Sequence, residues 1–225
     1  MSTQARVKHP GLFVSPYGLQ PIVQFINGGA CVPTATTMHH TVYNMTRTDL
    51  AKAISSACVL RGQFTLRSGR TSTYYIDKYL FSTQAEILSS LGGLFAAEIA
   101  EVEKVSGRKV ARLAGAELGG IPLVTSACMA TGIPCIFVRN AKKEYGTAKQ
   151  MEGRLERGDA LIFIEDVATT GGQSLEAVKV LQDAGADVLC VIATIDRQEG
   201  ASENMKAAGV PFRALFTRSD LGITE

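Results

Sequence analysis

Two neighbouring acids, Glu165 and Asp166, close the apolar run "LIFIED", and "VATTGGQS" follows at once. Carboxylates side by side at the end of a buried strand repel each other and are costly to take out of water. Their position calls for a partner. Residues 169–174 then lead into a helical run with Leu175, Val178, Val180 and Leu181. Glycines let backbone N–H groups turn inward on a compact anion, and a helix start adds roughly half a positive charge. The threonine hydroxyls add donors, so the turn suits a phosphate. It is neither a Walker A loop nor Gly-x-Gly-x-x-Gly. Acids directly before such a cradle would repel the phosphate itself. They should therefore meet another part of the same ligand: ribose hydroxyls, or a magnesium ion (Mg2+) bridging to them. An ordinary capped strand-to-helix turn is the plainer reading of Thr-Gly-Gly alone; the acids and the turn together outweigh it.

Further cations are spread along the chain. Arg67 in "FTLRSGRTSTYYID" and Arg197 in "VIATIDRQEG" offer forked, permanently charged donors. Taken singly, Arg67 reads as a solvated hairpin charge, Arg197 as an ion-pair partner of Asp196 or Glu199, and Tyr74 and Tyr75 as core. From Arg139 to about Gly158 the connection is long, where about 4–6 residues is usual. It holds Arg139, Lys142, Lys143, Lys149, Arg154 and Arg157, with Gly146 and Gly153 as hinges. It is either a solvated basic loop or a lid over a departing anion. No histidine lies beyond His40, which excludes histidine acid–base chemistry from the rest of the chain.

The elements that must position these groups follow from periodicity. "TRTDLAKAISSACVL" predicts an opening helix capped by Thr48 or Asp49. Phe64 and Leu66 alternate with polar residues, Ser68-Gly69 marks a turn and "TYYI" resumes strand chemistry, giving a hairpin. "QAEILSSLGGLFAAEIAEVEK" is a second helix. Strands then alternate with helices: "VARLAG", "IPLVTSACMATG", "PCIFVR", a long polar stretch, "ALIFIED", "QSLEAVKVLQDAG", "DVLCVIATID", "ASENMKAAG" and "FRALFT". The pattern predicts an α/β fold with a doubly wound, mostly parallel sheet flanked by helices. Ligands of such sheets sit beyond the carboxyl ends of the strands, where Glu165 and Asp166 fall.

At 225 residues, 46% hydrophobic and 20% charged, the chain can build one sizeable core. A net charge of +2 gives no reason to invoke nucleic acid or an anionic membrane. No stretch approaches the ~20 apolar residues of a membrane span. The five cysteines are scattered, with no Cys-x-x-Cys pair, and read as reduced thiols in a cytoplasmic protein. Residues 1–48 hold three bases and no acid, so they carry +3, and the other 177 hold 20 bases and 21 acids, hence −1. All three histidines lie in that first segment. Without sustained periodicity, residues 1–45 read as a disordered extension or a mis-assigned start before Met45, with a faint likeness to a transit peptide. The domain itself is expected over 46–225.

The run "IFIEDVATTGGQS" resembles the phosphoribosyl-diphosphate signature of type I phosphoribosyltransferases. Three further segments narrow the likeness to the orotate phosphoribosyltransferase family: "FTLRSGRTSTYYID" is similar to its amino-terminal hairpin, "VRNAKKEYGT" to its mobile loop, and "VIATIDRQEG" to its Asp-Arg-Gln-Glu-Gly motif. "GAELGGIPLVTSA" looks like its pyrophosphate loop. The resemblance covers about residue 47 to the end. It implies a type I phosphoribosyltransferase fold with a hairpin hood, and transfer of phosphoribosyl from its diphosphate to orotate in pyrimidine biosynthesis, with Mg2+. Glu165 and Asp166 would hold the ribose hydroxyls. Val167, Ala168, Thr169, Thr170, Gly171, Gly172 and Gln173 would form the phosphate turn. Arg139, Lys143 and Tyr145 would face the diphosphate, with Lys143, Asp166 and Arg139 as the catalytic set. Orotate would meet Arg67, Tyr74, Tyr75, Thr169 and Arg197. The resemblance also implies a homodimer whose loop, 139–153, reaches into the neighbouring subunit's site.

Three positions depart from the family pattern. Asn140 stands where the family commonly has lysine, Tyr145 where it has a loop histidine, and Gly119 where a lysine is often seen. Each removes a positive donor facing phosphate, which leaves open a weakened or altered enzyme. A phosphoribosyltransferase for another base and a non-catalytic sugar-diphosphate sensor remain the alternatives. The −1 balance of residues 49–225 offers no basic stripe for a nucleic-acid-binding regulator.

Overall fold

The computed structural model describes residues 44–65, 69, 71–140 and 150–224. The readings of residues 1–43, Arg67, Lys143 and Tyr145 lie outside these described residues.

Helix α1 (Arg47–Cys58) starts earlier than the sequence reading has it. Thr46 accepts the Asp49 amide at 3.1 Å and donates its hydroxyl to Asp49 Oδ2 at 2.7 Å. Asp49 is thus the far member of a capping-box-like pair, and not the cap. Leu50, Ile54 and Cys58, four residues apart, form the buried stripe. The helix stops at Cys58 because the Cys58 carbonyl accepts the Asp77 N–H at 2.9 Å, so pairing with a distant strand replaces another helical turn. Val59-Leu60, read as the helix end, instead opens β1 (Val59–Thr65), which pairs antiparallel with β2 (Thr71–Ile76).

The segment after β2 also differs from expectation. Asp77 accepts the Tyr79 amide at 3.1 Å and caps a short helix, α2 (Lys78–Ser82), so "DKYLF", given no helix in the sequence reading, turns helical. Helix α3 (Ala85–Ser106) buries Ile87, Leu91, Phe95, Ile99 and Val102 along one face.

The main sheet comprises β3 (Arg112–Ala116), β4 (Cys135–Val138), β5 (Met151–Glu152), β6 (Ala160–Ala168), β7 (Asp187–Asp196) and β8 (Phe212–Thr217), in the order β5-β4-β3-β6-β7-β8. All neighbours are parallel except β5, which runs antiparallel to β4 within the stretch read as a long polar connection. Helices α4 (Gly120–Thr131), α5 (Gly172–Asp183) and α6 (Ala201–Ala207) make the crossovers.

Strand β6 shows why the sheet needs cover on both faces. Ile162 and Ile164 pack with Leu50, Phe95 and Leu123, while Leu161 and Phe163 pack with Val178, Leu181 and Met205. All four of these β6 side chains are fully buried, each stabilising the fold by roughly 1.5–3 kcal/mol relative to exposure. The chain leaves β3 for β4 on one side and β6 for β7 on the other. The strand order therefore reverses between β3 and β6, and a crevice opens at their carboxyl ends.

Candidate active site

That crevice holds the acidic pair. Strand β6 continues two residues past the expected end, pairing Val167 with Ile195 and Ala168 with Asp196, so the acids sit inside the ladder. Asp166 is 2% exposed. Its Oδ1 accepts the Val167 N–H at 2.6 Å and its Oδ2 meets Lys78 Nζ at 2.8 Å. Glu165 accepts the Asp166 N–H at 3.0 Å through Oε1 and the Ser174 hydroxyl at 2.6 Å through Oε2. Burial, with the negative Asp166 beside it, pushes the Glu165 carboxyl up to about 8. Burial alone would lower the Lys78 ammonium; the charge and hydrogen bond of Asp166, with Glu165 nearby, outweigh it and hold Lys78 above its ordinary value. Lys78 thus stays charged against two acids.

Downstream, the turn from Thr169 to Gly172 reaches α5. Gly171 sits at φ 78°, in the left-handed region that favours glycine, and a Cβ there would lie 3.1 Å from Met205 Cε. Asn204 donates to the Thr170 carbonyl at 2.9 Å and the Arg197 N–H to the Ala168 carbonyl at 2.9 Å, fixing the turn from both sides. The first amides of α5 have no intrahelical acceptor, because an α-helix leaves its first turn of N–H groups free. At Gly172 a Cβ would find only Thr170 Oγ1, at 3.9 Å, so the start of α5 is open. The turn can receive an anion, and the acids can accept hydroxyl protons.

Across the crevice lies the turn between β3 and α4. Here a Cβ on Gly119 would overlap Asp166 Oδ2 and lie 2.7 Å from its Cγ, so this backbone packs directly on the acid. Glu117 accepts the Asn140 N–H at 2.8 Å. Arg139 lies at the rim with its Nη1 3.6 Å from Glu152, and its backbone pairs with Gln150. Lys78, Glu117, Arg139, Gln150, Glu165 and Asp166 line a cleft of about 280 Å³. A larger hollow of about 550 Å³ between α1 and the turn Ser219–Leu221 is lined by a single acid, Asp220, and so has no acidic pair.

At the end of β7, Arg197 donates to Glu199 at 2.8 Å and to the Tyr74 hydroxyl at 3.3 Å, with its guanidinium 5.4 Å from the Tyr74 ring centroid. The hairpin is thereby brought to the sheet. Tyr74 is buried, whereas Tyr75 is 44% exposed and packs on Phe64, with ring centroids 5.8 Å apart. Alternation along β2 separates the two tyrosines that the sequence reading grouped together. That reading gave no role to Lys78 or Ser174. Lys78 follows the Asp77 cap of α2, but its approach to Asp166 is a long-range contact that no local pattern marks.

The chain is 42% identical over 174 residues to the orotate phosphoribosyltransferase of Halobacterium salinarum, covering 77% of this chain and 95% of that one. It is 39% identical over 178 residues to the Natronomonas pharaonis orotate phosphoribosyltransferase, covering 79% and 98%. Among solved structures, the Mycobacterium tuberculosis orotate phosphoribosyltransferase in complex with 5-phospho-α-D-ribosyl 1-diphosphate superposes with a TM-score of 0.64, at 30% identity over 79% of this chain and 99% of that chain. No family model matches the chain. Identity of this extent, over the same doubly wound sheet and nearly the whole length of those relatives, places the chain in the orotate phosphoribosyltransferase family.

Proposed function

We propose that the cleft between β3 and β6 is where this pentosyltransferase of pyrimidine biosynthesis joins orotate to the phosphoribosyl group, giving orotidine 5′-monophosphate and diphosphate. The observation that carries this site assignment is the Glu165–Asp166 pair, its aspartate buried and its glutamate half-buried, directly before the open start of α5. In this reading the acids accept the ribose hydroxyl protons, residues 169–173 hold the 5′-phosphate, and Arg197 with Tyr74 faces the planar anionic base. As the C1′–oxygen bond breaks, its electron pair goes to the diphosphate and the sugar becomes cationic. Fixed positive groups aimed at that growing charge lower the barrier more than they tighten substrate binding. Arg139 and, from outside the described residues, Lys143 and Tyr145 are assigned to that side.

Magnesium, when bound, would neutralise the diphosphate. Among the described residues no group of three or more His, Cys, Asp or Glu forms a ready metal site. Glu165 and Asp166 alone suit an ion carried chiefly by the substrate. A homodimer sharing loop 139–153 belongs to the same proposal; Leu60 and Tyr75, facing partners across the hairpin and each at least 40% exposed, offer apolar surface to a second copy. Cys58, Cys128, Cys135 and Cys190 are free thiols, which suits the cytoplasm, and no described helix is long and apolar enough to cross a membrane.

The test is consumption of orotate by purified protein with phosphoribosyl diphosphate and magnesium, followed by its ultraviolet absorbance. Turnover is expected with orotate and none with adenine, guanine, xanthine or uracil. Turnover of another base instead, or sugar-diphosphate binding with no turnover of any base, would replace this reading.

A further inference from the structure

We propose that Lys78 supplies the leaving diphosphate with the positive charge that the turn after β3 lacks. The turn Glu117–Gly119 brings no cation to the cleft, and at Gly119 Asp166 fills the place of a side chain. Any Cβ at 119 would run into Asp166 Oδ2. Lys78, arriving from α2, places its Nζ 2.8 Å from that same oxygen. Two elements far apart in sequence converge on one carboxylate oxygen. One of them brings only backbone, and the other brings an ammonium.

Neutralising a buried acid does not exhaust what Lys78 can do. Its side chain is 35% exposed whereas Asp166 is 2% exposed, and Lys78 lines the cleft together with Arg139 and Gln150. An ammonium has three N–H donors, and the contact with Asp166 Oδ2 uses one. Glu117, Glu165, Asp166 and Glu176 also line this cleft, and among its described lining residues Lys78 and Arg139 are the cations. Arg139 already faces Glu152 at 3.6 Å. A multiply charged anion in such a cleft meets fixed positive charge at Lys78 as well as at Arg139, and Lys78 is held by the acid assigned to the sugar. Lys78 is thus placed to touch both halves of the substrate, and the C1′–oxygen bond breaks between them.

This assignment rests on the phosphoribosyl-transfer reading above, and its test separates the two. Lys78→Gln and Lys78→Arg are compared with the unaltered protein by calorimetric titration with inorganic diphosphate plus magnesium and, separately, with orotidine 5′-monophosphate. Lys78→Gln is expected to weaken diphosphate binding at least tenfold and nucleotide binding less than threefold, and Lys78→Arg to restore most of the diphosphate affinity. Equal losses for both ligands would reduce Lys78 to a positioning residue for Asp166. Unchanged diphosphate affinity would remove it from the site. Should Lys78→Gln fail to fold, the comparison moves to Asp166→Asn with and without Lys78→Gln, where no acid is left unpaired; the added substitution must still cost tenfold in diphosphate binding. If the unaltered protein turns over no orotate yet its diphosphate binding depends on Lys78, the orotate reading fails and this one stands.

Discussion

Two turns meet at the carboxyl end of the sheet, and they use glycine in opposite ways. After β6, Gly172 leaves the start of α5 open, the nearest contact beyond its own helix and chain neighbours being Thr170 Oγ1, 3.9 Å from where a Cβ would sit. After β3, Gly119 is filled from outside by the Asp166 carboxylate. The first turn keeps space for an anion; the second gives up its space so that an acid can be buried and fixed. A glycine at a helix start therefore marks a cradle only where nothing in the fold already occupies it. The acid links the two turns, because it belongs to one and fills the other.

The sharpest way to break the comparison is Asp166→Asn. The single amide oxygen can serve Lys78 or the Val167 N–H but not both, and the charge that strengthens a hydroxyl's hydrogen bond is lost. Hydrogen bonds to charged groups are worth about 1.5–3 kcal/mol, so phosphoribosyl diphosphate affinity should fall on the order of a hundredfold while the core stays folded. Calorimetric titration alongside circular dichroism reads both quantities. Unchanged affinity would take Asp166 out of the sugar site.

Alanine at each turn in place of glycine sharpens the contrast. Gly119→Ala must displace the Asp166 side chain from Lys78, leaving a buried acid without its partner, and should cost about 1–3 kcal/mol of stability. Gly172→Ala meets only Thr170 Oγ1 at van der Waals distance and should change stability by no more than about 0.5 kcal/mol. Urea denaturation of the ligand-free proteins measures both. Equal costs would mean that the two turns are packed alike.

How much of this was legible in the sequence depends on distance along the chain. The acids, the Thr-Gly turn and the helix behind them lie within one continuous run, and the apolar stretches around them set the doubly wound order, so local patterning suffices there. Lys78 and Asp166 are 88 positions apart (166 − 78), and nothing local in "DKYLF" announces that α2 folds the lysine back over the sheet. Tyr74 and Tyr75 are chemically identical neighbours; only the observed ladder decides which one faces Arg197. Strand β5, two residues long, is too short for any periodicity to show. Thr46 is a different case: Thr-x-x-Asp before an apolar stripe was readable, but Thr48 and Asp49 stood nearer the stripe and hid it.

The effect spread over the widest pH range concerns the other acid. Glu165 is raised from an ordinary carboxyl value to about 8, by burial first and by Asp166 second. Between pH 4.5 and 8 the folded protein thus holds a proton that the unfolded chain has released. Stability should be fully present below that window and fall as pH rises through it, by at most about 1.4 kcal/mol per pH unit, then level off. In Glu165→Gln the amide oxygen can accept the Asp166 N–H while the amide NH2 donates to the Ser174 oxygen, and the group cannot ionise. Its denaturation midpoint should therefore be flatter across the same window and higher than the unaltered protein's near pH 9. Both proteins must be measured free of ligand and magnesium, since either would draw the proton off Glu165 early. Parallel curves for the two proteins would mean that Glu165 is ionised throughout, with Lys78 neutralising the pair of acids as a unit, and that Asp166 and Glu165 contribute to the cleft's charge in equal measure.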